Sequence, residues 1–176
     1  MIKKVSVQEF DAIYEIMSVS FPRCERRTKD GQKALFSLAN YTVYGWYEQK
    51  RICAFLAAYT LAQWRFVEHL ATDQTFRGQN IGHQLMESYV NADPRKVVLE
   101  VEPDENTITH RRIAFYKRLG FSLYPDFPYA QPSFHGENAV PLCLMVNDKH
   151  LKTDDLRAIQ RSLYQDVYHL DISNII

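Results

Sequence analysis

Residues 72–82 read Thr72-Asp73-Gln74-Thr75-Phe76-Arg77-Gly78-Gln79-Asn80-Ile81-Gly82 and connect a predicted strand to a predicted helix. The segment contains two glycines and one cation, and the helix begins directly after the turn. Several backbone N–H groups and the positive end of the helix dipole therefore point toward one spot, which favours a phosphate group. Taken alone, the same segment is equally compatible with an Arg-Gly turn that merely caps a helix.

Two common nucleotide-binding loops do not match this segment. No Gly-Lys-Ser/Thr follows, which excludes the loop of the nucleotide hydrolases. Only Gly78 and Gly82 are present, whereas the dinucleotide-binding signature needs three glycines in the order Gly-x-Gly-x-x-Gly.

The composition is that of an ordinary globular chain. The 176 residues include 21 Lys plus Arg and 21 Asp plus Glu, so the formal net charge is zero. This balance argues against binding nucleic acid through bulk positive charge, and we expect no nucleic-acid partner. The length predicts a single core.

The sequence also predicts neither a membrane span nor a metal site. The longest apolar run, residues 52–62, is far shorter than the roughly 20 residues that cross a bilayer, so we expect a buried strand and no membrane partner. The basic pair near the start is followed by no apolar stretch, which favours a cytoplasmic protein. Cys24, Cys53 and Cys143 are widely separated and the six histidines are dispersed, so we expect reduced thiols and no metal.

Strand and helix signals alternate along the chain and predict a mixed α/β fold. A second informative segment, Arg111-Arg112-Ile113-Ala114-Phe115-Tyr116-Lys117-Arg118-Leu119-Gly120-Phe121, lies on a helix predicted over residues 109–119. Gly120 stands where a left-handed helix cap is needed, and Phe121 follows to pack on the last turn.

These two segments together resemble the GNAT superfamily of acyl-CoA-dependent N-acyltransferases. Residues 77–82 resemble its Arg/Gln-x-x-Gly-x-Gly/Ala signature, and residues 111–121 resemble its later helix, which ends in Phe-Tyr-x-x-x-Gly-Phe. Asn80 departs from the glycine that is usual there, but Asn tolerates a left-handed backbone. The resemblance covers residues 1–147 as an acetyltransferase domain and leaves residues 148–176 as a C-terminal helical extension.

The resemblance implies a twisted mixed sheet whose central strands splay apart, flanked by helices, with an extra C-terminal helix. Acetyl-CoA would enter the gap as co-substrate, and no metal would be needed. The main chain of Leu70, Ala71 and Thr72 would face the pantetheine arm. The pyrophosphate would lie on the backbone amides of Arg77, Gly78, Gln79, Asn80, Ile81 and Gly82.

Amide formation from a thioester needs a neutral amine and a proton for the departing thiolate. Tyr116 is the candidate acid, because a phenol is protonated at neutral pH and the resemblance puts this residue beside the CoA sulfur. Glu68 is the candidate base, because strand alternation predicts that Phe66, Glu68, Leu70 and Thr72 share one face, and burial would raise its pKa. Glu100 on the next strand is the rival. Either carboxylate could instead pair with an arginine.

Two loops are candidates for the acceptor pocket. One is rich in aromatic residues and contains Tyr124, Phe127, Tyr129, Gln131, Phe134 and His135. The other is basic and contains Phe21, Arg23, Arg26 and Arg27. If both line the cleft, the acceptor would carry an anionic or planar part beside its amine. Alternatively, the aromatic loop covers the core and the arginines are solvated.

The prediction is therefore an N-acetyltransferase that transfers an acetyl group to a primary amine, of a small molecule or a peptide, by direct attack in a ternary complex. A catalytically silent acyl-CoA-binding or sensing module stays open as an alternative, as does a scaffold built around the last helix. That helix, predicted over residues 153–170, carries an apolar stripe of Leu156, Ile159, Leu163, Val167 and Leu170. Its burial requires either its own domain or a homodimer.

Overall fold

A mixed sheet with helices packed on it forms the centre of the computed structural model, which describes residues 1–136 and 138–170. The strands are β1 (Ile2–Lys4), β2 (Tyr41–Glu48), β3 (Arg51–Thr60), β4 (Trp64–Thr72), β5 (Lys96–Val101), β6 (Ser122–Tyr124), β7 (Ala130–Gln131), β8 (Val140–Pro141) and β9 (Cys143–Val146). Over the described ranges the main sheet has seven strands in the order β1-β2-β3-β4-β5-β9-β6. The helices are α1 (Phe10–Ser20), α2 (Lys29–Ala34), α3 (Ile81–Asn91), α4 (Thr107–Arg118) and α5 (Thr153–Asp166).

The first helix follows a capping box and ends just before a proline. Glu9 accepts hydrogen bonds from the backbone N–H and the hydroxyl of Ser6, at 3.1 and 3.0 Å, and so completes the capping box. A short 3₁₀ turn leads into α1, which ends at Ser20, two residues before Pro22. Proline lacks the N–H that would continue the helix.

The sheet splits at its centre, between β4 and β5. These strands are parallel, and their register runs from Trp64 opposite Lys96 to Val67 opposite Leu99. On its other side β4 stays paired with β3 as far as Thr72. The part of β4 after Val67 therefore presents one backbone edge to the gap, and the predicted splayed mixed sheet is confirmed.

A β-bulge at Glu68 changes which way the later β4 side chains point. Val67 lies opposite Ala58 and His69 opposite Ala57, so Glu68 is an extra residue in the ladder. Regular alternation would put Leu70 on the face of Phe66. Instead, Leu70 packs with the hydrophobic cluster of Val67, and Ala71 packs with that of Phe66. The prediction that Phe66, Glu68, Leu70 and Thr72 share one face is therefore wrong beyond the bulge.

The C-terminal helix packs into the same core as the sheet. The side chains of Leu156, Ile159, Leu163 and Val167 are at most 5% exposed and belong to the cluster that contains Phe66. Leu170 lies beyond the end of α5 and is exposed. Except for Leu170, the stripe is thus buried within its own chain. The boundary after residue 147 between an acetyltransferase domain and a C-terminal extension stays a prediction. Residues 171–176 of the predicted extension lie outside the described residues.

Candidate active site

The loop between β4 and α3 has the backbone geometry expected of a phosphate site. Gly78 and Asn80 have φ values of 79° and 61°, so Asn80 adopts the predicted left-handed conformation. The Asn80 side chain makes no capping hydrogen bond to the helix. Because the first N–H groups of a helix have no partner within it, those at the start of α3 are available to an anion.

A cavity of about 420 Å³, here called the loop cavity, opens beside these amides. It is lined by eight of the nine residues that the resemblance assigns to acetyl-CoA: Leu70, Ala71, Thr72, Arg77, Gly78, Asn80, Ile81 and Gly82. Gln79 is exposed and is absent from that lining. Phe115 and Tyr116 of α4 form the opposite wall. The residues present therefore fit a ligand that carries phosphate at one end and an extended arm along β4.

Gly82 lies where its small size matters. A Cβ atom at this position would be 3.2 Å from Oγ1 of Thr72. A larger side chain would fill the space between the end of β4 and the first turn of α3. The glycine therefore keeps the amides at the helix start accessible.

Tyr116 lies where the loop cavity meets a second cavity of about 310 Å³, here called the carboxyl cavity, because it lines both. Burial raises the pKa of Tyr116 and the positive charge of Arg112 lowers it. Burial has the larger effect, so the resulting pKa is about 12. The phenol therefore keeps its proton throughout the physiological range and can donate to a group in either cavity. Its ring packs edge-on against those of Phe115 and Phe121.

Four carboxyl side chains line the carboxyl cavity: Glu25, Glu68, Glu100 and Glu102. Glu102 accepts a hydrogen bond from Arg112, which lies between the two cavities. Burial raises the pKa of Glu25, and the neighbouring charge of Glu102 raises it further. The lining also includes Arg77 and Arg112, so it holds four carboxyl groups and two guanidinium groups, and this excess of carboxyl groups favours a positive group.

Glu68 is buried, but its carboxylate is already committed to a cation. Oε1 accepts a hydrogen bond from Nη1 of Arg27 at 2.5 Å, and Nδ1 of His69 lies 3.4 Å from Oε2. Burial alone would raise the pKa of Glu68. The attraction and hydrogen bonding of Arg27 and His69 together outweigh burial and hold the pKa down to about 2. The prediction that burial raises the pKa of Glu68 is therefore wrong. The structure instead shows the other possibility left open by the sequence, in which this carboxylate pairs with an arginine.

Glu100 has the properties expected of a base. Burial raises its pKa, and the hydroxyls of Tyr129 and Tyr168 lower it. Burial has the largest effect, so the resulting pKa is about 7. Tyr168 Oη lies 2.9 Å from Oε1 and 2.8 Å from Oε2, and Tyr129 donates to Oε1. In the described part of the chain, no arginine or lysine forms an ion pair with Glu100. A carboxylate that titrates near neutral pH can accept a proton under physiological conditions.

The predicted acceptor loops contribute less charge than expected. Arg26 donates to the Phe21 carbonyl and the Tyr14 hydroxyl, while Arg27 binds Glu68 and lies 4.3 Å above the Phe134 ring. Phe21 and Gln131 do line the carboxyl cavity. Arg27 is neutralised by Glu68, and neither arginine lines the carboxyl cavity, so neither presents its charge to an anionic acceptor there.

Three contributors to the site went unnoticed in the sequence: Arg112, Glu25 and Tyr168. Glu25 and Tyr168 lie in segments without a motif, and Arg112 lies in the informative segment 111–121 but is assigned no role there. Only the fold brings the three residues to the cavity. Over residues 1–136 and 138–170, no cluster of three or more His, Cys, Asp or Glu side chains could hold a metal ion. No helix within these ranges is both long and apolar enough to cross a membrane.

Solved structures share this fold. A protein from Bacteroides thetaiotaomicron assigned to the GNAT acetyltransferases superposes with a TM-score of 0.87 at 26% identity, covering 97% of this chain and 99% of its own. The ribosomal-protein-S18-alanine N-acetyltransferase of Escherichia coli has a TM-score of 0.63 at 16% identity, with 86% and 98% coverage. A Paenibacillus lautus diaminobutyrate acetyltransferase, solved with its substrate and coenzyme A, has a TM-score of 0.63 at 15% identity, with 86% and 98% coverage.

The sequence itself also matches a family. No curated protein matches the chain closely enough to count as a relative. The sequence model of the Acetyltransferase (GNAT) family, however, matches residues 10–121, which is more than half of the chain. The chain therefore belongs to the GNAT acetyltransferase family.

Proposed function

We propose that this protein transfers the acetyl group of acetyl-CoA to a primary amine by direct attack in a ternary complex. The observation that carries the proposal is the position of Tyr116, which lines both the loop cavity and the carboxyl cavity. A thioester held along β4 in the first cavity would have its sulfur near this phenol. An amine held in the second would approach the same point from the other side.

The loop cavity is the proposed site for acetyl-CoA. The pyrophosphate would lie on the amides of residues 77–82, at the positive end of α3. The pantetheine arm would run along the β4 edge that faces the gap, next to Leu70, Ala71 and Thr72. Since β5 pairs with β4 only as far as Val67, that backbone edge is available to a ligand.

Glu100 is the proposed base, in place of Glu68. An amine acceptor enters as an ammonium ion and must lose a proton before its nitrogen can attack. Glu100, directly or through water, accepts that proton because its pKa is about 7. Glu68 is a weaker candidate, since protonating it would disrupt its ion pair with Arg27.

The reaction then needs one bond to form and one to break. The neutral nitrogen attacks the thioester carbonyl carbon, the C–N bond forms, and the C–S bond breaks. Tyr116 gives its proton to the departing thiolate and recovers one from solvent. The ammonium nitrogen loses two protons overall, of which one is balanced by the proton on the CoA sulfur and the other is released to solvent.

The carboxyl cavity also constrains the acceptor. Among the described residues, Glu68 and Glu102 are paired with arginines whereas Glu25 and Glu100 are not, so the lining favours a positive group. A volume of about 310 Å³ suits a small molecule or the end of a peptide side chain. We therefore expect a primary amine without a neighbouring carboxylate.

The proposal is tested by incubating the protein with acetyl-CoA and a panel of primary amines. Free CoA is measured by thiol titration, and the acetylated amine by mass spectrometry. We expect equal amounts of CoA and amide from at least one amine. Calorimetric binding of acetyl-CoA without turnover of any amine would contradict the proposal and favour the silent binding module. Absence of acetyl-CoA binding would contradict both.

A further inference from the structure

We propose that Tyr168, which follows α5, is a positioning residue that holds the Glu100 carboxylate in the orientation needed to accept a proton. The inference rests on the proposed function, in which Glu100 is the base. Tyr168 lies outside residues 10–121, the segment that matches the family. The C-terminal segment would thus complete the acceptor side of the active site.

The contact between the two residues is direct. The Tyr168 hydroxyl lies within hydrogen-bonding distance of both Glu100 oxygens, at 2.9 and 2.8 Å, while Tyr129 donates to Oε1. A phenol has one proton to give, so Tyr168 satisfies Oε2 when Tyr129 satisfies Oε1. Each carboxylate oxygen keeps a further lone pair for a substrate amine or a bridging water. Both Glu100 and Tyr168 line the carboxyl cavity.

The backbone around Tyr168 is held firmly on the rest of the chain. The N–H groups of Val167 and Tyr168 both bond to the Leu163 carbonyl at 3.0 Å, which ends the helix. The Val167 side chain is 1% exposed, and its carbonyl accepts from Arg27 at 3.4 Å. His169 then adopts a left-handed conformation with φ 54°, which turns the chain away. The Tyr168 hydroxyl is therefore delivered to Glu100 by a fixed turn.

Few other groups near Glu100 can stabilise its charge. Glu68 and His69 face it from β4, and Glu102 directly follows β5, the strand that carries Glu100. Glu68 raises the pKa of Glu100 and His69 lowers it, while Arg27 is bound to Glu68. In the described part of the chain, the direct hydrogen bonds to this carboxylate come from Tyr129 and Tyr168. The hydrogen bonds from these two hydroxyls lower the pKa of Glu100 and so offset part of the rise that burial causes. They therefore influence how far Glu100 is ionised at neutral pH.

The test is Tyr168→Phe, which keeps the ring and removes the hydroxyl. Losing a donor to a carboxylate disfavours the ionised form, so the acidic limb of the pH profile of kcat/KM should move up by about one pH unit. The pKa of Glu100, followed by ¹³C NMR of labelled glutamate carboxyls, should rise by the same amount. Tyr129→Phe, which removes the other donor, should move both quantities in the same direction.

Tyr164→Phe is the matched control. It makes the same chemical change one turn earlier, where the hydroxyl donates to the Ala130 carbonyl at 2.8 Å and not to Glu100. It should leave the pH profile and the Glu100 titration unchanged. Calorimetry of acetyl-CoA binding to each variant reports whether the fold is intact.

Three results would overturn the inference. If Glu100 titrates identically in Tyr168→Phe and the wild type, the hydroxyl does not hold the carboxylate. If its titration moves but the acidic limb does not, Tyr168 affects Glu100 without serving proton acceptance, while acetyl transfer itself stands. Absence of turnover by the wild-type protein would overturn the proposed function and this role with it, so the two failures are distinguishable.

Discussion

The guanidinium of Arg27 lies 2.5 Å from the carboxylate of Glu68, across 41 residues of sequence, and both side chains are largely buried. Arg27 also covers the Phe134 ring and reaches the Val167 carbonyl. The pair thus joins the loop after α1 to the bulge in β4 and to the end of α5. Its role is structural, because it ties together the elements that surround the carboxyl cavity.

Breaking this pair should be costly. Arg27→Met leaves the Glu68 charge buried without a partner, and we expect it to lower the free energy of unfolding by about 3 to 5 kcal/mol. Adding Glu68→Gln should recover part of that loss. Urea unfolding of both single variants and the double variant gives the coupling energy.

Lys29→Ala provides the comparison, because Lys29 and Asp11 form an exposed pair, whose loss should change the free energy of unfolding far less than the loss of the buried pair. Additive effects of Arg27→Met and Glu68→Gln would show that the two side chains are not coupled.

The pKa of Glu100 predicts a pH-dependent effect on stability. Because its pKa is raised from 4.5 to about 7, the folded state binds this proton more tightly, and stability falls as pH rises through that interval. Glu100→Gln removes the titration. The free energy of unfolding of the variant minus that of the wild type should increase by about 3 kcal/mol from pH 4.5 to pH 8. Urea unfolding at both pH values measures this, and a constant difference would contradict the assigned pKa.

The backbone of the loop at residues 77–82 and the burial of Tyr116 follow from local rules, whereas the role of Tyr116 as an acid is implied by the family resemblance and stays a prediction. Glycine and asparagine suit the left-handed positions at 78 and 80, and a strand followed at once by a helix fixes where the amides point. Helical spacing then puts Tyr116 on the buried side of α4, with Gly120 ending the helix at φ 84°. These features require no knowledge of distant residues.

The base could not be assigned in the same way. The bulge at Glu68 shifts the strand by one residue, and strict alternation does not reveal it. The partners that separate Glu68 from Glu100 are Arg27 and Tyr168, which lie 41 and 68 residues away in sequence. The pKa values of two similar glutamates are therefore decided by tertiary contacts that no local pattern encodes.

Gly82 should be more important for acetyl-CoA binding than the charge of Arg77. Gly82→Val adds atoms where a Cβ alone is already 3.2 Å from Thr72 Oγ1, so it should obstruct the amides and weaken binding at least about tenfold. Arg77→Ala should have a smaller effect, because Arg77 is exposed. Calorimetry measures each affinity. Gln79→Ala is the control, since it keeps the backbone amide and removes only a side chain that does not line the loop cavity. Unchanged affinity in Gly82→Val would remove the loop assignment.

The acceptor cavity should discriminate against a carboxylate. Cadaverine and lysine share a five-carbon chain that ends in a primary amine, but lysine has an additional α-carboxylate. The carboxyls of Glu25 and Glu100 should repel it, so we expect kcat/KM to be at least about tenfold higher for cadaverine. Glu25→Gln should reduce the ratio of kcat/KM for cadaverine to kcat/KM for lysine. A wild-type preference for lysine would show that the charge of the cavity does not select the acceptor.

Tyr116→Phe should impair the chemical step and spare binding. The substitution keeps the ring contacts with Phe115 and Phe121 but removes the proton that the thiolate would take. General acid catalysis contributes roughly a hundredfold to ten-thousandfold, or about 3 to 5 kcal/mol, so turnover should fall within that range. Single-turnover kinetics with the best amine measures the chemical step, and acetyl-CoA affinity should stay within about threefold. Tyr89→Phe is the control, because Tyr89 is also buried and lines neither cavity of the site. Full single-turnover rates in Tyr116→Phe would mean that this phenol only packs, and that the proton reaches the thiolate from water or another side chain.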